Sequence, residues 1–186
     1  FMKTSELEKV SFSLGTDHII SLEDCLEIVD GKVPLLIEVK SHWTGLPEME
    51  QGLIDILKSY DGPHGVMSFD PSVIERMKNL GSSSLHGLVT SQCPSKDWPG
   101  ISEAQRQNGC VQFDKARELE IDFIAHEIGD IRNPHLQKLV KDLNIPLMSW
   151  TVKTQAMRES AKEARAIPIF EIHDDDRLRD LLTNER

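Results

Sequence analysis

The sequence is poor in cysteine, short of positive charge and free of long hydrophobic runs. Its three cysteines show no C-x-x-C spacing, so neither a disulfide framework nor a zinc cage is indicated. Lys and Arg number 21 against 31 Asp and Glu, and the resulting formal net charge of -10 disfavours nucleic acid and anionic membranes as partners. No apolar run approaches the roughly 18 residues of a membrane span, and no signal segment opens the chain. We therefore expect a cytoplasmic protein with no nucleic-acid partner and no membrane span.

Two nucleotide-binding motifs are also missing. Neither G-x-G-x-x-G nor G-x-x-x-x-G-K-[ST] occurs, so dinucleotide and Walker-type nucleotide sites lose their main support. The composition, with 39% hydrophobic and 28% charged residues, is that of a folded protein. A length of 186 residues fits one domain, which we place over residues 1–186.

Short apolar runs recur along the chain, with helical segments between them. The runs cover 35–39, 65–69, 87–90, 121–125, 146–150 and 167–171. Each is short enough for a strand and apolar enough to be covered on both faces. Helix caps and apolar spacing predict helices over 21–31, 47–60, 70–81, 133–144 and 155–165. The cadence predicts six parallel strands in an α/β fold, either a barrel of strand–helix units or an open sheet wound on both faces.

The first strand ends in a group of polar residues. Glu38, Lys40 and His42 stand at alternate positions at its carboxyl end, so they are expected to point to one side. A carboxylate and an ammonium together can hold a divalent cation and the phosphoryl oxygens that the cation neutralises. The alternative is a purely structural Glu–Lys pair at the rim of the sheet.

Four short segments carry a resemblance to a known family. They are residues 19–26, 37–40, 68–70 and 150–153, with the sequences IISLEDCL, IEVK, SFD and WTVK. In this order the segments resemble the glycerophosphodiester phosphodiesterase family. The resemblance implies a (β/α)8 barrel that hydrolyses a small-molecule glycerophosphodiester to glycerol 3-phosphate and an alcohol, with a divalent cation such as magnesium or calcium. The chain would form a partial TIM-type barrel, with about six of the eight strand–helix units and without the first strands.

The resemblance also implies roles for individual residues. Glu38 matches the metal-binding glutamate, and Lys40 matches the lysine that faces the substrate phosphate. The remaining matches line the substrate pocket, and they are Ser68, Phe69, Trp150 and Thr151. Lys153 stands where the family has asparagine.

The family's acid–base machinery is missing from this sequence. A His-Arg-Gly strand end, a Glu-x-Asp pair and a His-Asp segment supply the acid–base histidines and most metal ligands in the family, and none of the three is present. We therefore assign no catalytic residue and expect the chain to be catalytically incomplete. A rebuilt site is the remaining route to catalysis, and it would use Glu38, His42, Glu171 and His173.

Two functions follow from these observations. The first is a glycerophosphodiester phosphodiesterase-like hydrolase, and the alternative is a non-catalytic module that binds a phosphate ester or a partner protein. In both cases the missing strands would leave the first and last strands of the sheet as unpaired edges. Exposed edges favour pairing with another chain, so a homodimer is expected.

Overall fold

The computed structural model describes residues 6, 10, 18–44, 46, 47, 49–92 and 109–171. Within these residues, strands and helices alternate along the chain. The strands are β1 Leu35–Glu38, β2 His64–Ser68, β3 Leu85–Thr90, β4 Phe123–Glu127, β5 Leu147–Val152 and β6 Ile167–Phe170. The helices are α1 Leu22–Val29, α2 Glu50–Leu57, α3 Pro71–Asn79, α4 Gly109–Glu118, α5 Pro134–Leu143 and α6 Gln155–Glu163, and a 3-10 turn covers Ile128–Asp130. No helix in these ranges is long and apolar enough to cross a bilayer.

The six strands form one parallel sheet in the order β1-β2-β3-β4-β5-β6. Each strand pairs with the next one along the chain, whereas a doubly wound sheet reverses its strand order at a switch point. The sequential order is that of a (β/α) barrel, and the described strands make a half-barrel of this type. The predicted partial TIM-type fold and its six strands are therefore confirmed.

Local capping explains where the helices begin. The Ser21 hydroxyl accepts a hydrogen bond from the Asp24 amide at 3.0 Å and completes a capping box at α1. Asp70 and Asn133 cap α3 and α5, and each is followed by a proline at the first helical position. Asn144 ends α5 in the left-handed conformation, with φ at 52°. These four signals are visible in the sequence, and the helices that they predict are confirmed.

Helix α4 was not predicted. Among residues 113–118, whose burial is described, Phe113 and Ala116 are buried and the positions between and after them are charged. Two buried positions do not make the repeated apolar stripe that identifies a helix from sequence.

The sheet separates two different cores. On one side, the helices cover two clusters, one with Ile74, Leu88 and Ile124 and the other with Leu53 and Val66. The other side carries a cluster to which every strand contributes and no described helix does, and this we call the inner face. Its members are Leu36, Met67, Phe69, Val89, Phe123, Ala125, Met148, Trp150 and Ile169. Side chains alternate between the two sides along each strand, so the inner face is the interior of the half-barrel.

Phe123 fills the inner face near the amino ends of the strands. Its ring lies over Gly65 of β2 and Gly87 of β3. A Cβ atom at Gly87 would approach the ring to 2.2 Å, and one at Gly65 would approach it to 3.1 Å. The two glycines are therefore required by the close approach of the aromatic ring.

Replacing Gly87 by alanine is expected to destabilise the fold. The new methyl group must displace a buried ring, so the free energy of unfolding should fall by about 1–3 kcal/mol in urea titrations. Gly52→Ala is the matched control, because a Cβ at Gly52 in α2 meets no atom within 4 Å. Alanine is the better helix former, so the control should gain roughly 0.5–1 kcal/mol. Equal midpoints for Gly87→Ala and the unchanged protein would contradict the packing described.

Candidate functional site

The candidate site lies at the carboxyl end of β1, where Glu38 and Lys40 form an ion pair. The Lys40 ammonium lies 2.9 Å from Oε1 of Glu38. The Lys40 side chain is 81% exposed and the Glu38 side chain 28%. An exposed pair of this kind contributes little to stability, so the lysine is available to an incoming anion.

Two aromatic side chains meet on the inner face, towards the carboxyl ends of the strands. The rings of Phe69 and Trp150 meet edge to face, with centroids 5.5 Å apart and planes inclined at 82°. The indole Nε1 of Trp150 donates a hydrogen bond to the Ala125 carbonyl at 3.2 Å. Phe69 follows β2 and Trp150 belongs to β5, so the rings meet across the two strands between them. We call Phe69 and Trp150 the aromatic floor.

Ser68 and Thr151 lie next to the floor residues in the sequence. Ser68 is fully buried, and its hydroxyl donates to the Val39 carbonyl at 2.7 Å and accepts from the Asp70 amide at 3.1 Å. It therefore joins the ends of β1 and β2 from within the protein. Thr151 is half-buried in β5, where the pairing with β6 is irregular between Ser149 and Val152.

The residues of the rebuilt site are spread over the sheet. His42 lies in the exposed segment that follows β1, so it shares with Glu38 the first position in the strand order. Glu171 follows β6, at the opposite end of the strand order, and its carboxylate lies 2.9 Å from the Lys153 ammonium. His173 lies outside the described residues.

Glu127, which ends β4, was not predicted as a site residue. It continues the alternation of Phe123 and Ala125, which both lie on the inner face. In the strand pairing Glu127 stands opposite Trp150 of the aromatic floor. The period of two along β4 was the signal that could have identified it.

The neighbouring His126 belongs to the helix-covered side. It is 1% exposed, with Nδ1 2.7 Å from the Thr90 hydroxyl and Nε2 3.3 Å from the Asp130 carboxylate. Gln92 and Asn133 donate further hydrogen bonds to that carboxylate, at 2.8 and 2.9 Å. Because His126 is enclosed on the far side of the sheet, it cannot exchange protons with a substrate on the inner face.

Burial sets the titration of this histidine and of His86 in β3. Burial lowers the pKa of His126, and Asp130 opposes the change. Burial also lowers the pKa of His86, and the charge of Lys78 lowers it further. For Asp130 itself, burial acts to raise the pKa, but hydrogen bonds from Asn133, Gln92 and His126 outweigh it and lower the pKa.

The described residues do not complete a metal site. Within the described ranges, no group of three or more His, Cys, Asp or Glu side chains could hold a metal ion. Glu38 supplies one carboxylate, which already accepts the Lys40 ammonium. Magnesium and calcium sites use several oxygen ligands, so Glu38 alone does not fit the cation that the resemblance implies.

Several solved structures share this fold. A protein from Agrobacterium tumefaciens that carries the provisional name of a glycerophosphoryl diester phosphodiesterase matches with a TM-score of 0.75 at 19% identity, over 100% of this chain and 73% of its own. A glycerophosphodiester phosphodiesterase from Parabacteroides distasonis matches with a TM-score of 0.69 at 16% identity, over 98% of this chain and 71% of its own. A phosphodiesterase from Oleispira antarctica, solved with the product sn-glycerol-3-phosphate, matches with a TM-score of 0.59 at 15% identity, over 87% of this chain and 60% of its own.

These likenesses show the fold. No protein-family model and no curated protein matches the sequence. The chain spans 57 to 73% of the length of the phosphodiesterase structures that it matches. The structural neighbours therefore agree with the resemblance that the four sequence segments indicate, and the chain corresponds to a part of their barrel.

The lowered pKa values of His126 and His86 predict that the fold weakens in mild acid. Below the ordinary histidine pKa of about 6.5, the unfolded chain binds protons that the folded chain does not, so stability is lost as pH falls. From pH 7.5 to 5.5, each histidine should cost up to about 1.4 kcal/mol of unfolding free energy in urea titrations. His126→Gln should reduce this pH dependence. An unchanged dependence in that variant would show that His126 does not titrate as described.

Proposed function

We propose that this chain forms the phosphate-binding side of a glycerophosphodiester phosphodiesterase-like hydrolase. The reaction consumes a glycerophosphodiester and water and yields glycerol 3-phosphate and an alcohol. The observation that carries the proposal is the Glu38–Lys40 pair, which lies at a barrel strand's carboxyl end on the same sheet as the aromatic floor. Active sites of (β/α) barrels are built at this end.

Lys40 is the residue assigned to the substrate phosphate. An ammonium group has three donor hydrogens, and the Glu38 carboxylate lies in contact with it. A diester phosphate carries a negative charge and acceptor oxygens, so it can share the ammonium with Glu38. Phe69 and Trp150 then offer an apolar surface to the carbon atoms of the substrate. Ser68 is fully buried, so in this proposal it supports the ends of β1 and β2 without touching the substrate, and Thr151 follows Trp150 in β5.

In this proposal, Glu38 is the described residue that would bind a divalent cation, magnesium or calcium. When bound, such a cation would neutralise charge on the phosphoryl oxygens. Its other ligands would come from outside the described residues, because Glu38 is one carboxylate and already faces Lys40. We therefore assign no step of the reaction to the cation.

Proton transfer limits the hydrolysis expected of this chain. The family's acid–base histidines have no counterpart in the sequence, and His126 is enclosed on the opposite side of the sheet. His42, which follows β1, is the described histidine nearest in sequence to Lys40. Loss of general acid–base catalysis lowers a rate typically by about 10²–10⁴-fold. Binding of the phosphate ester without efficient turnover is the expected behaviour.

The second candidate function is a non-catalytic module that binds a phosphate ester or a partner protein. The ion pair between Glu38 and Lys40 favours this function, because the Glu38 carboxylate already contacts an ammonium. The described residues therefore offer a lysine for an anion but no complete cation site. The homodimer through sheet edges stays a prediction. Among the described strands β1 pairs only with β2, and β6 only with β5.

Phosphate binding through Lys40 can be tested by calorimetric titration with sn-glycerol 3-phosphate. Lys40→Gln should weaken binding by roughly 10–100-fold, because a charge-assisted hydrogen bond is lost. Lys32→Gln is the matched control, since Lys32 is 71% exposed and lies 3.3 Å from Asp30, before the amino end of β1. The control should bind like the unchanged protein. No binding by the unchanged protein, or equal affinity in Lys40→Gln, would refute the assignment.

Turnover separates the two candidate functions. With glycerophosphocholine and added Mg²⁺ or Ca²⁺, the chain should hydrolyse at least about 100-fold more slowly than a typical enzyme rate of about 10 per second. A slow rate that falls further in Glu38→Gln supports the hydrolase, whereas binding with no hydrolysis above background supports the module. A rate typical of enzymes would show that the chain possesses acid–base groups that we have not assigned.

A further inference from the structure

Lys40 depends on the backbone around it for its position. Its side chain is 81% exposed, and lysine has four rotatable side-chain bonds. A flexible side chain of this kind binds an anion well only where its base is fixed, because ordering it opposes binding. The contacts of its neighbours, Val39 and Ser41, therefore determine how firmly the base of the lysine is held.

Both neighbours of Lys40 are fastened to the junction between β2 and α3. On one side, the Val39 carbonyl accepts from the buried Ser68 hydroxyl at 2.7 Å, and the Val39 amide donates to the Met67 carbonyl at 2.8 Å. On the other side, the Ser41 hydroxyl donates to Oδ2 of Asp70 at 2.6 Å. The same Ser41 oxygen accepts from the Trp43 amide at 2.9 Å. Lys40 thus stands between two attachment points, one at the end of β2 and one at the N-cap of α3.

Asp70 is itself held rigidly. It is 4% exposed, and its Oδ1 accepts from the Ser72 amide at 2.9 Å and the Ser72 hydroxyl at 2.7 Å. The Ser72 hydroxyl also accepts from Arg76 at 2.8 Å, and Arg76 forms a buried ion pair with Glu50 of α2 at 2.6 Å. A continuous chain of hydrogen bonds therefore runs from Glu50 to Ser41.

We propose that Ser41 and Asp70 are positioning residues that hold Lys40 where the substrate phosphate binds. This inference rests on the proposed function, because it assigns a purpose to the Lys40 segment. Neither residue needs to touch the substrate. Their contribution is to fix the backbone at residue 41, so that the ammonium is oriented before the anion arrives.

The first test uses the order of the Lys40 segment and needs no ligand. Trypsin cleaves after lysine, and cleavage in a folded chain requires local opening of the backbone. Asp70→Ser keeps an N-cap hydroxyl for α3 and the sequence around the cleavage site, but its shorter side chain removes the carboxylate oxygen that accepts from the Ser41 hydroxyl. It should speed cleavage after Lys40 by about fivefold or more, with cleavage after Lys32 unchanged as the internal reference. Equal acceleration at both sites, or none at Lys40, would overturn the positioning role.

The second test measures affinity for sn-glycerol 3-phosphate. Ser41→Ala should weaken binding by about five- to tenfold. Ser41→Thr should bind like the unchanged protein, because the hydroxyl is kept. In the Lys40→Gln background, Ser41→Ala should have no further effect. Ser59→Ala is the matched control, since the Ser59 hydroxyl bonds the Ile56 carbonyl at the end of α2.

The outcomes separate this inference from the proposed function. If the unchanged protein binds and Lys40→Gln weakens binding, but Ser41→Ala binds normally, the positioning role is wrong and the phosphate site stands. If Ser41→Ala weakens binding equally with and without Lys40, Ser41 acts by another route and the inference is overturned. If the unchanged protein does not bind, the proposed function fails, and the trypsin test alone decides whether Asp70 orders the segment.

Discussion

The alternation of side chains along parallel strands is the constraint on which the rest of this structure depends. Near the carboxyl end of the sheet, consecutive residues serve opposite sides. Ser68 is buried beneath the helices, while Phe69 joins the inner face, and His126 and Glu127 divide in the same way. The buried residue of each pair uses its polar atoms in hydrogen bonds within the protein. The other residue faces the barrel interior. A shift of one residue in register would exchange the two roles.

Local signals made much of this fold predictable. Strand cadence and the caps at Ser21, Asp70 and Asn133 predict the elements, because each signal lies within a few residues of the feature it controls. Helix α4 was missed because its sequence carries no repeated apolar stripe at helical spacing. The candidate site was less accessible to prediction. Nothing near Ser68 in the sequence shows that its hydroxyl bonds residue 39, and Glu50 and Arg76 meet from positions 26 residues apart. Such contacts exist only once neighbouring units have packed.

The charge of the chain gives the candidate site its chemical character. A formal net charge of -10 opposes the approach of an anionic phosphate ester, so attraction must be local. Just after β1 and β5, Lys40 and Lys153 each contact a glutamate, Glu38 and Glu171. Under the proposed function, a phosphate would share the Lys40 ammonium with the Glu38 carboxylate. We expect such a site to favour a ligand whose charge is concentrated on adjacent oxygens over a diffuse anion.

The ring of Phe123 bears on the direction from which a ligand could approach the inner face. It packs over Gly65 and Gly87 near the amino ends of the strands. Phe69 and Trp150 cross the interior nearer the carboxyl ends. On the inner face, aromatic side chains therefore lie near both ends of the described strands. Under the proposed function a substrate would approach from the carboxyl ends, because Lys40 lies at that end of β1 and is 81% exposed.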